Sequence, residues 1–186
     1  MKKVLSLSLI LIPIFIYSQQ GRFIPDTSIA GIKLQDPISL KTIIPDILML
    51  TDYTGPGSHA YLLNKDESEI VILTFHAGSS SAIVAEIQLT GREKKQIKRA
   101  KIIKLNIDRF ATESNIKLYI NKSDLVKIKG TNYELEKRND KEILRYFFDN
   151  FETSSFLQRY NYPNYYADYT FKDNKLIIIE FGFTYP

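Results

Sequence analysis

Residues 170–181 read TFKDNKLIIIEF, and this stretch decides how the chain is expected to fold. Apolar residues on both sides of a short polar segment are typical of two strands, and Asp173 and Asn174 lie where a tight turn is expected. Residues 74–87 read TFHAGSSSAIVAEI and repeat the order of a Thr-Phe pair, a polar turn and an apolar strand. Each stretch therefore predicts an antiparallel hairpin.

A second pair of matching segments lies upstream of these hairpins. Residues 31–34 read GIKL and residues 115–118 read NIKL, and Ser39 and Ser123 follow them at the same spacing. The two kinds of segment occur in the same order in both halves of the chain. Because self-similarity at a constant offset is the mark of an internal repeat, we predict a tandem duplication.

Each half is expected to contain a short helix followed by antiparallel strands. In the first half, Asp36 and Pro37 are typical of a helix start, and the helix should end near Ile44. In the second half, Asn121 should begin a helix that runs to Lys129, and Gly130 suits its end. The expected strands are 59–64, 69–76 and 82–90, then 132–137, 142–148, 165–172 and 175–183. This pattern predicts an α+β fold of two tandem units, 26–91 and 110–186, each a short helix packed on an antiparallel sheet.

The first 18 residues are typical of a secretory signal peptide. Lys2 and Lys3 precede an apolar segment from residue 4 to 17, and Ser18 provides a small residue for cleavage. The segment is shorter than the roughly 20 residues that span a bilayer, and Pro13 interrupts it. The mature chain should therefore begin near Gln19. Without the two lysines it has 23 basic and 21 acidic residues, a net charge of +2.

The chain contains no cysteine, and this limits the classes of protein that it can belong to. A bacterial lipoprotein needs a cysteine at its cleavage site, and disulfide scaffolds, cysteine nucleophiles and thiolate zinc sites need one as well. No later segment is apolar enough to predict a membrane span. We therefore expect a soluble product, periplasmic or secreted, that is not a lipoprotein.

The order of an Ile-x-Leu segment, a short helix, a glycine and antiparallel strands resembles the BamE or SmpA family of outer-membrane assembly proteins. In tandem it is similar to the fold of the β-lactamase inhibitor protein. The resemblance is carried by Ile116, Leu118, Ser123, Leu125, Val126 and Gly130, and by Ile32, Leu34, Ser39 and Leu40. Gln35 and Tyr119 replace a glycine that is usual in BamE-like sequences. The resemblance implies a non-enzymatic protein-binding module, and uncharacterised exported bacterial proteins have a similar layout.

A basic segment, residues 92–109, separates the two predicted units. Residues 92–104 contain seven lysines or arginines, which in another compartment would suggest nucleic-acid binding. Export argues against a nucleic-acid partner, so an exposed strand or linker is the simpler interpretation. An alternative is attraction to an anionic membrane surface. The residues for such a contact would be Lys94, Lys95, Lys98 and Arg99.

The segment 146–171 contains 11 tyrosines and phenylalanines in 26 residues. Tyrosines on a turn-rich loop supply contact area at little cost in side-chain entropy, which favours binding surfaces. The alternative is that these rings close the core of a small sheet. The candidate binding surface consists of Tyr160, Tyr162, Tyr165 and Tyr166.

Candidate catalytic residues are few. Glu86 and Glu180 occupy equivalent places in the two hairpins, so a carboxylate with a tyrosine could do acid–base chemistry. His59 and His76 could approach each other across a hairpin, but they lack the further ligands of a metal site. We assign no catalytic residue, metal or cofactor from the sequence.

The sequence thus predicts an exported, non-enzymatic binding protein of the bacterial envelope or medium. Its expected partner is another envelope or extracellular protein, with an anionic membrane surface as a further possibility. The competing hypothesis is a small secreted hydrolase or lyase that uses Glu86 or Glu180 with a tyrosine.

Overall fold

The computed structural model describes residues 23–45, 59–76, 82–92 and 102–184. The predicted signal peptide, residues 1–18, and the basic residues Lys94, Lys95, Lys98 and Arg99 lie outside these ranges. The elements in chain order are β1 (Ser28–Ile29), β2 (Ile32–Lys33), α1 (Pro37–Ile43), β3 (His59–Leu63), β4 (Glu69–Phe75), β5 (Val84–Gly91), β6 (Ile102–Lys104), α2 (Lys122–Lys129), β7 (Glu134–Arg138), β8 (Lys141–Phe148), α3 (Ser155–Tyr160), β9 (Asn164–Lys172) and β10 (Lys175–Thr184).

Eight of the strands form one sheet in the order β6-β3-β4-β5-β10-β9-β8-β7. β6 is parallel to β3, and every other neighbouring pair in this sheet is antiparallel, so the sheet is mixed. β1 and β2 form a separate small hairpin. The two halves of the chain meet in the middle of the large sheet, where β5 pairs with β10.

The predicted fold class is wrong. The protein is mostly β, and its strands form one continuous sheet rather than two helix-on-sheet units. The reason is the pairing of β5 with β10. The backbone N–H and C=O groups that each half would expose at its edge strand form hydrogen bonds with the other half. The helices in the described ranges have seven, eight and six residues, too few for a helix layer over each half.

Most individual elements are nevertheless where the sequence places them. α2 runs from Lys122 to Lys129 as predicted, and the expected strands differ from the observed ones by no more than two residues at any end. Asp36 begins α1 as expected, because its carboxylate accepts hydrogen bonds from the backbone amides of Ile38 and Ser39, at 3.0 and 3.3 Å. Gly130 ends α2 with a positive φ of 84°.

The sequence interpretation missed three features. They are the β1–β2 hairpin, the helix α3 inside the aromatic segment, and the parallel pairing of β6 with β3 at the end of the basic segment. Ser154 begins α3, because its hydroxyl accepts a hydrogen bond from the Leu157 amide at 3.3 Å. β6 covers only Ile102–Lys104, and residues 93–101 lie outside the described ranges.

The two matching tetrapeptides lead into similar local geometry. Gly31 and Asn115 both have positive φ, +83° and +59°, and so do Gln35 and Tyr119, +61° and +70°. The amide of Gln35 donates to Val84 O on β5 at 3.0 Å, and the amide of Tyr119 donates to Leu176 O on β10 at 2.7 Å. Gln35 and Tyr119 thus adopt the left-handed conformation that glycine favours. The tandem duplication stays a prediction.

The core lies on one face of the large sheet. Alternate residues of most strands are buried there together with one leucine from each helix, Leu40, Leu125 and Leu157, whereas β6 and β7 contribute no buried residue. Many aromatic rings of segment 146–171 belong to this core. Tyr146, Tyr165, Tyr169 and Phe171 are at most 1% exposed.

A buried ion pair fastens the N-terminal segment to α2. The Lys129 ammonium lies 2.8 Å from Asp26 Oδ2, and both side chains are fully buried. The Tyr169 hydroxyl donates to the same carboxylate at 3.2 Å, and the Tyr165 hydroxyl donates to Asp26 O at 2.5 Å. We call Asp26, Lys129, Tyr165 and Tyr169 the buried cluster.

None of the helices in the described ranges is long and apolar enough to span a membrane.

Candidate functional site

The face of the sheet opposite the core keeps its side chains partly exposed. On β5, Ala85, Ile87 and Leu89 are buried, whereas Glu86 and Gln88 between them are half-buried. The strand register places Gln88 beside Glu180, and Glu180 beside Asp168. We call this second face the open face.

Four polar side chains meet at the centre of the open face. The Tyr166 hydroxyl donates a hydrogen bond to Glu86 Oε2 and lies 3.4 Å from Glu180 Oε1. The Gln88 amide donates to the other oxygen of Glu180 at 2.5 Å. Glu86, Gln88, Tyr166 and Glu180 are called the sheet-face cluster below.

The cluster depends on a glycine in β10. Gly182 pairs with Glu86 on one side and with Tyr166 on the other, so the tyrosine hydroxyl must reach over Gly182 to bind Glu86. A β-carbon at position 182 would lie 2.8 Å from Ala85 O and 3.1 Å from Glu86 Cα. Only glycine fits this close approach without displacing backbone.

The environment of the cluster raises two pKa values. Burial raises the pKa of Glu180 above its ordinary value, and the neighbouring charges of Glu86 and Asp168 raise it further. Burial, and then hydrogen bonding to the Glu86 carboxylate, raises the pKa of the Tyr166 hydroxyl far above its usual range. Tyr166 therefore keeps its proton at neutral pH and donates a hydrogen bond within the cluster.

Neither carboxylate of the cluster forms an ion pair with a lysine, arginine or histidine of the described ranges. The nearby Arg145 is already engaged: its guanidinium binds both oxygens of Asp168, at 2.8 and 2.5 Å. Thr74 lies on the other side, 3.4 Å from Glu86 Oε1 and 3.3 Å from His59 Nδ1. Two acidic groups thus share one hydroxyl, and the described residues supply no compensating cation.

A separate cleft of about 920 Å³ lies beside the β2–α1 connection and the α3–β9 connection. Gln35 and Tyr162 line it and also contact His76: the Gln35 amide nitrogen lies 2.7 Å and the Tyr162 hydroxyl 2.9 Å from His76 Nε2. Burial lowers the pKa of His76, so the neutral imidazole is favoured.

The four tyrosines of the predicted binding surface separate into three places. Tyr160 and Tyr162 line the cleft, Tyr166 lies in the sheet-face cluster, and Tyr165 is fully buried in the core. The rings of Tyr160 and Tyr162 pack on Phe183, with centroid distances of 4.9 and 4.7 Å. Much of the aromatic segment therefore seals the sheet, and Tyr166 is the member that contacts Glu86 and Glu180.

The structure brings together Glu86, Glu180 and a tyrosine, as the competing hypothesis from the sequence requires. His59 is exposed beside Thr74, whereas His76 contacts Gln35 and Tyr162. Sequence reasoning missed Gln88 and Gly182. The twofold periodicity of strands could have indicated Gln88, because it lies on the same face of β5 as Glu86.

Within the described ranges, no group of three or more His, Asp or Glu side chains is arranged to hold a metal ion. No protein-family model, curated protein or solved structure matches this chain.

Proposed function

We propose that this chain is an exported, non-enzymatic binding protein of the bacterial envelope or medium, and that it binds a partner protein through the open face. The partner would place a lysine or arginine side chain against Glu86 and Glu180. Tyr166 and Gln88 would hold the two carboxylates in position for that contact.

The missing cation is the observation that carries this proposal. Two carboxylates that share one hydroxyl repel each other, and partial burial adds the cost of losing water. An arrangement that costs stability in the free protein is typical of a functional surface. A cation from a partner would offset both costs at once.

The surroundings of the cluster suit a protein interface. Ile72, Ile143 and Ile178 lie on the same face and are partly exposed, and Phe147 is 45% exposed to solvent. Apolar and aromatic side chains around a few charged groups are typical of interface centres. The expected signal peptide and the resemblance to envelope protein-binding modules support a partner in the same compartment.

A pull-down from envelope extract and culture medium tests the proposal. Wild-type protein should retain a specific partner, and Glu86→Gln with Glu180→Gln should reduce its recovery at least tenfold. The matched control is Glu152→Gln with Asp173→Asn, which removes two exposed acids that lie in turns outside the strands of the open face. Equal recovery by the cluster variant and the wild type would contradict the proposal.

A second candidate function is acid–base catalysis by the same cluster, as in a small hydrolase or lyase. The hydrogen bond from Tyr166 to Glu86 and the raised pKa of Glu180 favour it, because a raised pKa favours the protonated carboxyl group, which is the form that acts as a general acid. Turnover of ester, glycoside or polyuronate substrates that disappears in Glu180→Gln would support catalysis. Partner binding without turnover would support the first proposal.

Attachment to an anionic membrane surface through Lys94, Lys95, Lys98 and Arg99 is a separate proposal that rests on the charge of this segment. Reversing these four charges should reduce cosedimentation with phosphatidylglycerol vesicles. Unchanged cosedimentation would contradict attachment through these four residues.

A further inference from the structure

The cleft beside α3 contains two cations without a carboxylate partner. Lys33 on β2 and Arg159 on α3 both line it, and both are exposed. The Lys33 ammonium and the Arg159 guanidinium form no ion pair and no hydrogen bond with any residue in the described part of the chain. In contrast, each of the described arginines outside the cleft binds a carboxylate: Arg92, Arg109, Arg138 and Arg145.

Two further donors line the same cleft. The Tyr160 hydroxyl and the Asn161 side-chain amide have no hydrogen-bond partner among the described residues. Asp36 is the acidic residue of the lining, and its carboxylate already accepts from two backbone amides of α1. The cleft therefore presents a surplus of positive charge and of donors.

The walls of the cleft are held in place by contacts between distant parts of the chain. The Tyr162 hydroxyl donates to Gln35 Oε1 at 3.0 Å, and the side-chain amide of Gln35 donates to Val84 O at 3.2 Å. Gln35 also has a left-handed backbone, which is uncommon outside glycine and is kept here by these contacts. A ligand would thus meet a largely preformed site.

We propose that this cleft is a second binding site, distinct from the sheet-face cluster, for a small organic anion that carries a carboxylate or phosphate group. The planar Arg159 guanidinium can bind two oxygens of either group, and Lys33 adds a compact charge. Tyr160 and Asn161 would donate to the remaining oxygens. This proposal is independent of the partner proposed for the open face.

Isothermal titration of the purified protein with inorganic phosphate, citrate and glucose tests the site. We expect phosphate or citrate to bind and neutral glucose not to bind, and the tighter of the two anions identifies the group that the cleft prefers. Lys33→Gln with Arg159→Gln should weaken this binding at least tenfold. Raising the salt concentration should weaken it as well, because the two cations are exposed.

The matched control is Lys117→Gln with Lys175→Gln. Lys117 holds the place of Lys33 in the second tetrapeptide, and neither residue lines the cleft. This variant should bind as the wild type does. NMR of the wild type adds a readout that needs no variant: the side-chain signals of Arg159 and Asn161 should shift on titration. The absence of binding by both anions at 10 mM, or equal binding by the cleft variant and the wild type, would overturn the proposal.

Discussion

The buried cluster and the sheet-face cluster use the same chemistry on opposite faces of one sheet. Each combines carboxylate groups with tyrosine hydroxyls. In the buried cluster, Lys129 neutralises Asp26, and both side chains are sealed from solvent. In the sheet-face cluster, Glu86 and Glu180 share the Tyr166 hydroxyl and have no cation from the described residues.

The comparison separates a carboxylate that the protein itself neutralises from two carboxylates that we propose a partner neutralises. A buried carboxylate that has an ammonium group and two hydrogen bonds is satisfied and requires nothing from outside. A pair of acids that lacks a cation carries a cost which a partner can remove. The comparison leads to four predictions, given from the largest expected effect to the smallest.

Removing the cation of the buried cluster should have the largest effect. Lys129→Met leaves the Asp26 carboxylate buried without its counter-charge, which typically costs about 3–5 kcal/mol of the free energy of unfolding. Denaturation by urea measures this loss. Adding Asp26→Asn should restore part of the stability, since the unpaired charge is then gone. A single variant as stable as the wild type would show that the pair is not structural.

Filling the space over Gly182 should have the next largest effect. Gly182→Ala places a methyl group against the backbone of β5, and such overpacking costs about 1–3 kcal/mol. The control is Gly91→Ala, where the nearest atom is the Tyr119 hydroxyl at 2.9 Å, the end of a flexible side chain that can move. Thermal denaturation should show a clearly larger loss for position 182. Equal losses would contradict the close approach of the two strands.

Removing one hydroxyl from each cluster compares them directly. Tyr169→Phe takes a donor from a sealed carboxylate and should cost about 1–3 kcal/mol, whereas Tyr166→Phe affects acids that water can reach and should cost less than about 1 kcal/mol. Urea denaturation of both variants gives the difference. A larger loss from Tyr166→Phe would mean that the sheet-face cluster is the more structural of the two.

Glu180→Gln should slightly stabilise the protein, by a few tenths of a kcal/mol to about 1 kcal/mol at pH 7, because it removes repulsion from Glu86 and Asp168. The folded-state pKa of Glu180 is raised above its ordinary value of 4.5. The charged form therefore costs stability above the folded-state pKa, and the cost disappears as pH falls to about 4.5. The gain should follow that pH range in thermal melts. A variant that is less stable than the wild type at pH 7 would contradict an uncompensated charge.

Much of the local structure could be predicted, because its determinants are local. The cap at Asp36 marks the start of α1, and the twofold pattern of residues 175–183 marks β10. The sequence also places Glu86 and Glu180 on strands, but the register differs from the predicted equivalence: Glu86 pairs with Thr74, whereas Thr170 pairs with Ile178 and Glu180 pairs with Asp168. α3 was missed because the run of aromatic residues hides its apolar periodicity, although the cap at Ser154 marks its start.

The fold class and most of the candidate site could not be predicted, because they depend on which strand edges meet. Nothing near Glu86 in sequence indicates that it will lie opposite Gly182, within reach of Tyr166. The same holds for Asp26 and Lys129, and for the two cations of the cleft. The tyrosines of segment 146–171 lie in the core, in the cleft and in the sheet-face cluster. Their positions in the three-dimensional structure, and not their positions in the sequence, distinguish these places.

The sequence by itself determined the expected export signal, the absence of cysteine chemistry, and the positions of most helices and strands. These follow from composition and from interactions between residues close in the chain. Only the tertiary structure decided that β5 pairs with β10, that Lys129 neutralises Asp26, and that Glu86 and Glu180 share one tyrosine without a cation from the described residues. Such contacts join distant residues, and the free energy that selects them comes from packing the whole sheet.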